Sequence, residues 1–285
     1  MDTVTSMTTL EPLDTAFAPQ RPRPSVRALA VGSGLAASTV LGTAGVRPYD
    51  ARVALRRSTL NDTLPVHSKW WRERGAEPGE LLYVAIGDSA AQGIGASRPD
   101  RGYVGVLAEA MRAASGRSIR TANLSVSGAT TALAVRDQLP RLRGLEPDVV
   151  TVAIGANDIA EWAPREFDRN LRAILDDVPS HAIVAELPCF HFRSNERKVA
   201  EANRLLHDAA GERGLAVAPL HAATRRQGLR GILTQFARDM FHPNDEGYAV
   251  WAEAFRPLVG ARVAELTELV GTAPSVGTAV VGGRG

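Results

Sequence analysis

Five short apolar runs, spaced by stretches of helical length, constrain what this chain can fold into. Each run is rich in aliphatic and β-branched residues, is bounded by Gly, Pro or Asn, and is short enough for a buried strand. The runs lie at 81–86, 118–124, 148–154, 181–187 and 214–220. The stretches between and after them predict helices at 103–114, 130–143, 165–177, 195–213 and 244–270. Because strands that alternate with such helices form βαβ units, the pattern predicts a parallel sheet with right-handed crossovers.

Composition and charge limit the kinds of partner that this chain can have. Of its 285 residues, 45% are hydrophobic and 22% are charged, which is ordinary for a globular protein with a sizeable core. The net charge is +2 and the basic residues are scattered rather than aligned along one helix, so we expect no nucleic-acid partner. Cys189 is the only cysteine, which excludes an intrachain disulfide and a thiolate zinc site.

The chain before residue 80 differs in composition from the regular region. Residues 1–26 contain four prolines and little that could pack, and they predict a disordered leader. Residues 27–46 include the charge-free stretch 28–45, which fits a membrane anchor, an export signal or a small-residue helix. The localisation therefore stays open, with membrane-anchored or exported forms as plausible as a cytoplasmic one. Residues 47–79 are interpreted as a polar connector, 80–270 as the folded domain and 271–285 as a flexible tail.

Residues that carry chemistry follow three of the predicted strands. Gly87, Asp88 and Ser89 come directly after the first strand, Gly128 follows the second, and Asn157 follows the third. Active groups in a parallel sheet gather at the carboxyl ends of the strands. The three strand ends therefore predict a single site on one rim of the sheet.

A histidine and a carboxylate three residues apart precede the last predicted helix. His242 is the candidate base for Ser89, and Asp239 is the candidate carboxylate that orients the imidazole. A developing oxyanion also needs preorganised donors. The candidates are the backbone amides of Ser89 and Gly128 and the side-chain amide of Asn157.

Each of these residues has an ordinary structural role as an alternative. Ser89 could be a helix cap, Asn157 could be a turn residue, and Asp239 with His242 could be a surface pair of little energetic value. Their joint occurrence at strand ends favours the catalytic interpretation. In that interpretation Asp88 is a supporting hydrogen-bond residue rather than the catalytic acid.

The residues at these strand ends resemble the sequence blocks of the SGNH hydrolases, also called the GDSL esterases and lipases. Gly87-Asp88-Ser89 with Gly93 is similar to the first block, and Asn123 through Gly128-Ala129-Thr130 to the second. Gly155-Ala156-Asn157-Asp158 is similar to the third block, and Asp239-x-x-His242-Pro243 to the fifth. The resemblance covers roughly residues 81–260. Ala90 stands where the signature has leucine, at a position that varies in the family and does no chemistry.

The resemblance implies both a fold and an activity. The fold is an α/β, three-layer α/β/α sandwich around a five-stranded parallel sheet, a flavodoxin-like arrangement, over residues 80–270. The activity is that of a serine esterase or lipase that cleaves carboxylic esters or thioesters through an acyl-enzyme, without a metal or organic cofactor. Acyl transfer to a sugar or alcohol, and a non-catalytic binding module on the same fold, stay open as alternatives.

The substrate is expected to be a small-molecule, lipid or glycan ester, but its acyl chain and alcohol are left open by the sequence. The oligomeric state and a membrane contact through residues 28–45 are left open too. We expect no metal site, because the remaining histidines show no metal-ligand spacing; they are His67, His181, His191, His207 and His221.

Overall fold

A five-stranded parallel sheet organises residues 63–191 and 193–271, which are the residues that the computed structural model describes. Its strands are β1 (Leu81–Gly87), β2 (Ile119–Asn123), β3 (Val149–Ala153), β4 (Ile183–Ala185) and β5 (Ala216–Ala218). They lie in the order β2-β1-β3-β4-β5, and every neighbouring pair is parallel. The predicted α/β fold with a five-stranded parallel sheet is confirmed, although β4 and β5 are shorter than the apolar runs that predict them.

Nine α-helices accompany the sheet in the described part of the chain. They are α1 (Leu64–Ala76), α2 (Tyr103–Ser115), α3 (Thr131–Asp137), α4 (Leu139–Leu142), α5 (Pro164–Asp177), α6 (Arg193–Glu212), α7 (Leu220–Arg225), α8 (Gly228–Thr234) and α9 (Asp245–Gly271). The sequence pattern did not predict α1, α7 or α8. The prediction of one helix over 130–143 is wrong, because the helix is interrupted at Gln138. Pro140 follows this break, and its ring nitrogen has no hydrogen to continue the helical ladder.

The alternation of side chains along β1 shows why the fold has three layers. Val84 and Ile86 pack into one apolar cluster, while Tyr83 and Ala85 pack into another. Successive residues of a strand point to opposite faces, so the two clusters lie on opposite sides of the sheet. The first cluster takes its helical residues from α3, α4, α5 and α6, among them Phe167, Leu171 and Leu206. The second takes most of its helical residues from α2 and α9, among them Tyr103, Leu107 and Phe255, and the rest from α1 and α7.

The segments before residue 63 and after residue 271 lie outside the described residues. The leader at 1–26, the segment at 27–46, the start of the connector and the tail therefore stay predictions. The end of the connector contains α1. Within the described part of the chain, each helix is either too short or too polar to cross a bilayer.

Candidate active site

Ser89 lies in the tight turn that follows β1, two residues after the strand ends. Asp88 shapes this turn, because its Oδ1 accepts a hydrogen bond of 2.9 Å from the amide of Ala90. Gly87 lets the turn approach β3 closely, since a Cβ added there would lie 2.7 Å from the carbonyl oxygen of Ala153. Ser89 is consequently held at the carboxyl-terminal rim of the sheet, and only 6% of it is exposed.

His242 connects Ser89 with Asp239, although it lies 153 positions from the serine in the chain. Its Nε2 is 2.9 Å from Ser89 Oγ, and its Nδ1 is 2.6 Å from Asp239 Oδ2. Because the carboxylate accepts the Nδ1 hydrogen, Nε2 presents a lone pair to the serine hydroxyl. The other carboxylate oxygen of Asp239 accepts the backbone amides of Phe241 and His242, each at 3.0 Å. The loop thus supplies and orients both side chains.

Asp239 is almost fully buried and yet favours the ionised form. Burial raises the pKa of this carboxyl, but hydrogen bonds from the His242 side chain and from two backbone amides outweigh burial. The pKa is therefore held below its ordinary value. An ionised Asp239 keeps His242 in the tautomer that can accept a proton from Ser89.

The predicted oxyanion donors at the ends of β1 and β2 are backbone amides. Gly128 has a φ of +76°, and no atom of the described residues would lie within 4 Å of an added Cβ, so this glycine is required by conformation and not by crowding. Among residues 63–191 and 193–271, no hydrogen bond uses the amide of Ser89 or of Gly128. Both amides remain available as donors.

Asn157, the third predicted donor, is already engaged within the protein. Its Nδ2 donates to Asp88 Oδ2 at 3.1 Å and to the carbonyl oxygen of Ala129 at 3.0 Å. Both amide hydrogens therefore have acceptors. Donation to a substrate requires one of these two bonds to be shared or released.

Asp88 and Asp158 are further carboxyl groups at this rim. Burial raises the pKa of Asp88 to about 6, and the amide hydrogen bond from Ala90 opposes that rise only in part. Asp158 has a structural role, because its carboxylate accepts the backbone amide and the hydroxyl of Thr131 at 3.0 and 2.6 Å. It thereby holds the first residue of α3 against the loop that follows β3.

Helix α1 supports the turn that carries Ser89. The ring nitrogens His67 Nδ1 and Trp71 Nε1 both donate to the carbonyl oxygen of Gln92, at 2.9 and 3.0 Å. Gln92 lies three residues after Ser89, so these bonds fix the far end of the turn. Sequence reasoning missed both residues, because their shared partner Gln92 lies 25 positions from His67 and 21 positions from Trp71.

Two further side chains brace the same turn across long stretches of sequence. Gln138 is fully buried, and its amide pairs with the backbone of Gly87 by accepting the N–H at 3.0 Å and donating to the carbonyl at 2.8 Å. Tyr248 donates its hydroxyl to the carbonyl oxygen of Ile94 at 2.6 Å. No local sequence signal identifies either partner.

Cys189, Glu196 and His221 lie together after β4, although their sequence spacing did not connect them. Their donor atoms all lie within 4.8 Å of one another, and His221 Nε2 is 3.0 Å from Glu196 Oε2. The pocket beside them is also lined by Arg193, Arg197 and Arg225. Because three guanidinium groups oppose a cation there, we interpret the Glu196–His221 contact as a hydrogen-bonded pair and assign no metal.

Comparisons with solved structures reveal the same fold in known enzymes. LAE5, an α/β hydrolase enzyme from the metagenome of Lake Arreo in Spain, has a TM-score of 0.55 at 24% identity, over 65% of this chain and 98% of LAE5. TesA has a TM-score of 0.53 at 22% identity, over 64% of this chain and 99% of TesA. EstA, a psychrotrophic esterase from Pseudoalteromonas sp., has a TM-score of 0.51 at 19% identity, over 65% of this chain and all of EstA (100%). A search of curated proteins finds no match.

The family comparison extends over most of the folded region. The family model described as the GDSL-like lipase/acylhydrolase family matches residues 85–250, which is more than half of the chain. The match begins within β1 and ends within α9, so it includes the Ser89 turn and the loop that carries His242. The chain therefore belongs to the GDSL-like lipase/acylhydrolase family of the SGNH hydrolase superfamily, and it is a carboxylic ester hydrolase of that family.

Proposed function

We propose that Ser89 is the nucleophile of an esterase that cleaves carboxylic esters or thioesters through an acyl-enzyme. The observation that carries this proposal is the continuous hydrogen-bond line from Ser89 Oγ through the His242 ring to Asp239, with contacts of 2.9 and 2.6 Å. A serine hydroxyl is a weak nucleophile until a base within hydrogen-bond reach accepts its proton. His242 is at that distance, and the Asp239 carboxylate at its Nδ1 favours the tautomer that this step requires.

In the first half of the reaction, Ser89 Oγ attacks the ester carbonyl carbon while His242 Nε2 takes the hydroxyl proton. The tetrahedral intermediate carries its negative charge on the former carbonyl oxygen. When the intermediate collapses, the bond to the alcohol or thiol breaks and His242 returns the proton to that leaving group. Asp239 stays ionised throughout and stabilises the transient imidazolium.

In the second half, water replaces the departed alcohol. His242 takes a proton from this water as its oxygen attacks the acyl-enzyme carbonyl. Collapse of the second intermediate releases the carboxylic acid, and His242 returns the proton to Ser89 Oγ. The enzyme is thus restored without a change in its overall charge.

The oxyanion is assigned to the amides of Ser89 and Gly128, with Asn157 as a third donor. Asn157 reaches an oxyanion only by sharing or releasing its bond to Asp88 or its bond to Ala129, since both of its amide hydrogens are held. Asp88 therefore positions Asn157 and does not react. Loss of one such donor typically slows an enzyme by roughly 10²–10³-fold.

Replacement of Ser89 by alanine tests the assignment of the nucleophile. Ser89→Ala should abolish hydrolysis of p-nitrophenyl acetate and also covalent labelling by a fluorophosphonate. A phosphonate probe is suited to this test because the EstA structure is one inhibited by monoethylphosphonate. The labelled residue is located by mass spectrometry of peptides.

Ser127→Ala, at a second serine on the same rim, is the matched control and should keep both activities. Full turnover or labelling in Ser89→Ala would contradict the assignment. Labelling of the native protein at a serine other than Ser89 would contradict it as well.

A further inference from the structure

A pocket of about 480 Å³ opens beside the proposed oxyanion donors Gly128 and Asn157. Pockets that bind small molecules typically measure about 300–1,000 Å³. The lining also contains Thr130, Asp158, Glu161, Glu166, Phe167 and Asn170, together with three alanines. Gly128 and Asn157 are both lining residues of the pocket and proposed oxyanion donors. A substrate group in this pocket would therefore be attached close to the reacting carbonyl.

The walls of this pocket offer little apolar surface to an alkyl chain. Among the described residues, Phe167 is the one large apolar residue in the lining, and it is only 1% exposed because Trp162 and the core cover it. The remaining apolar contacts come from alanines. Since the hydrophobic contribution scales with the apolar area removed from water, a long acyl chain would gain little here.

The same walls offer unused hydrogen-bond donors and acceptors. Asn170 Nδ2 is buried and has no partner among the described residues, although a buried amide donor is normally paired. Thr130 Oγ1 accepts the amide of Leu133, which leaves its own hydrogen for another acceptor. Glu161 is exposed, and no ion pair or hydrogen bond of its carboxylate is found within residues 63–191 and 193–271.

We propose that this pocket binds a hydroxyl-rich group of the ester substrate, with Asn170 as donor and Glu161 as acceptor. A hydroxyl group both donates and accepts hydrogen bonds, so it satisfies both kinds of wall residue at once. An anionic group is disfavoured, because Glu161 and Glu166 bring negative charge to the pocket. This assignment of substrate class rests on the proposed role of Ser89 for turnover, but the binding step does not depend on it.

Two pairs of esters distinguish the side of the ester that enters the pocket. Ethyl acetate against 6-O-acetylglucose varies the alcohol, and ethyl hexanoate against ethyl gluconate varies the acyl group at six carbons. One neutral hydrogen bond corresponds to roughly 2- to 10-fold in an equilibrium or rate ratio. We therefore expect kcat/KM to be higher by at least that factor for the hydroxylated member of one pair.

Asn170→Leu and Glu161→Leu test the two wall residues, and Glu253→Leu on α9 is the matched control for an exposed glutamate. Each wall variant should reduce the preference for the hydroxylated ester by roughly 2- to 10-fold and leave kcat/KM for the plain ester within about twofold. Glu253→Leu should leave the preference unchanged. Glu161 is exposed, so its variant keeps the test valid if Asn170→Leu fails to fold.

Binding to Ser89→Ala separates this inference from the proposed function. Saturation-transfer NMR should detect 6-O-acetylglucose or ethyl gluconate on Ser89→Ala, and a weaker signal on Ser89→Ala with Glu161→Leu. If the native protein is neither labelled nor active, the proposed role of Ser89 is contradicted. The binding measurement on Ser89→Ala then tests by itself whether the pocket binds a hydroxyl-rich group. Equal kcat/KM within both pairs, a preference that survives both wall variants, or no binding of either compound to Ser89→Ala would overturn the inference.

Discussion

Asp88 is a buried carboxyl beside the proposed nucleophile, and its burial links protein stability to pH. Its pKa is raised to about 6 in the folded protein from an ordinary value of 3.8. The folded state therefore binds the proton more tightly than the unfolded chain does. As the pH rises from about 4 to 6, the free energy of unfolding decreases, and above about pH 6 it decreases no further through this group. At 1.36 kcal/mol for each pH unit, the difference corresponds to about 3 kcal/mol.

Asp88→Asn removes the titrating carboxyl, so the effect of Asp88 on stability should appear when this variant is compared with the native protein at different pH values. The free energy of unfolding of Asp88→Asn minus that of the native protein should rise by about 3 kcal/mol between pH 4 and pH 8. Urea unfolding at stepped pH values measures both. The exposed Asp208→Asn serves as a control for the loss of one carboxylate. A difference that stays flat with pH for Asp88→Asn would show that the carboxyl is not buried as described.

Among the structural elements, α1 supports the turn that carries Ser89, although its polar composition does not indicate this role. The helix packs on the edge strand β2 and buries Trp71, which is 5% exposed. Through His67 and Trp71 it holds the carbonyl oxygen of Gln92, and so it fixes the turn after β1. The precise position of Ser89 thus depends on an element that precedes the sheet in the chain.

Trp71→Phe removes the indole N–H and keeps an aromatic ring in place. We expect the free energy of unfolding to fall by about 0.5–1.5 kcal/mol, since Gln92 keeps only the bond from His67. Urea unfolding measures the change, and the rate of fluorophosphonate labelling should fall in parallel. Trp70→Phe is the matched control, because the Trp70 ring packs edge-on against Trp71 at 4.5 Å and its Nε1 makes no hydrogen bond among the described residues. An equal loss in both variants would argue that ring size, rather than the hydrogen bond, matters at this position.

Across the whole molecule, α9 joins the two segments that supply the serine and the histidine. It begins three residues after His242 and packs along α2. Tyr248 donates to the carbonyl oxygen of Ile94, and Asp245 accepts the backbone amide and the hydroxyl of Ser97 at 2.7 and 2.6 Å. The segment after Ser89 is thereby tied to the helix that follows His242.

Tyr248→Phe removes the hydrogen bond between these two segments, and it should lower both the free energy of unfolding and the activity. It leaves the buried carbonyl oxygen of Ile94 unpaired, which is expected to cost about 1–3 kcal/mol of unfolding free energy and to lower kcat. Tyr103→Phe is an informative control in the same aromatic cluster, since the buried Tyr103 hydroxyl has no partner among the described residues. Its removal should be neutral or stabilising. Urea unfolding and p-nitrophenyl acetate kinetics distinguish the two, and equal effects would contradict the assigned bond.

Much of the fold could be predicted because its signals are local. The apolar runs at 81–86 and 148–154 specify strands through their own composition, and their alternation with helices predicts a parallel sheet. The rule that active groups gather at the carboxyl ends of strands then predicts that Ser89 and Asn157 share one rim, and the structure brings them there. The interruption at Gln138 was not predicted, although Pro140 is a local signal for it. The pairing of the Gln138 side chain with the backbone of Gly87, 51 positions away, has no such local signal.

The sequence by itself determined the fold class, the family and the residues that were candidates for the site. Only the tertiary structure decided the strand order, the hydrogen bonds that hold Asn157 to Asp88 and Ala129, and the support that α1 gives to the Ser89 turn. It also decided which polar side chains line the pocket beside Gly128. The physical reason is that periodicity and turn chemistry act between near neighbours in the chain. Hydrogen bonds between side chains of distant segments exist only once packing has set their separation.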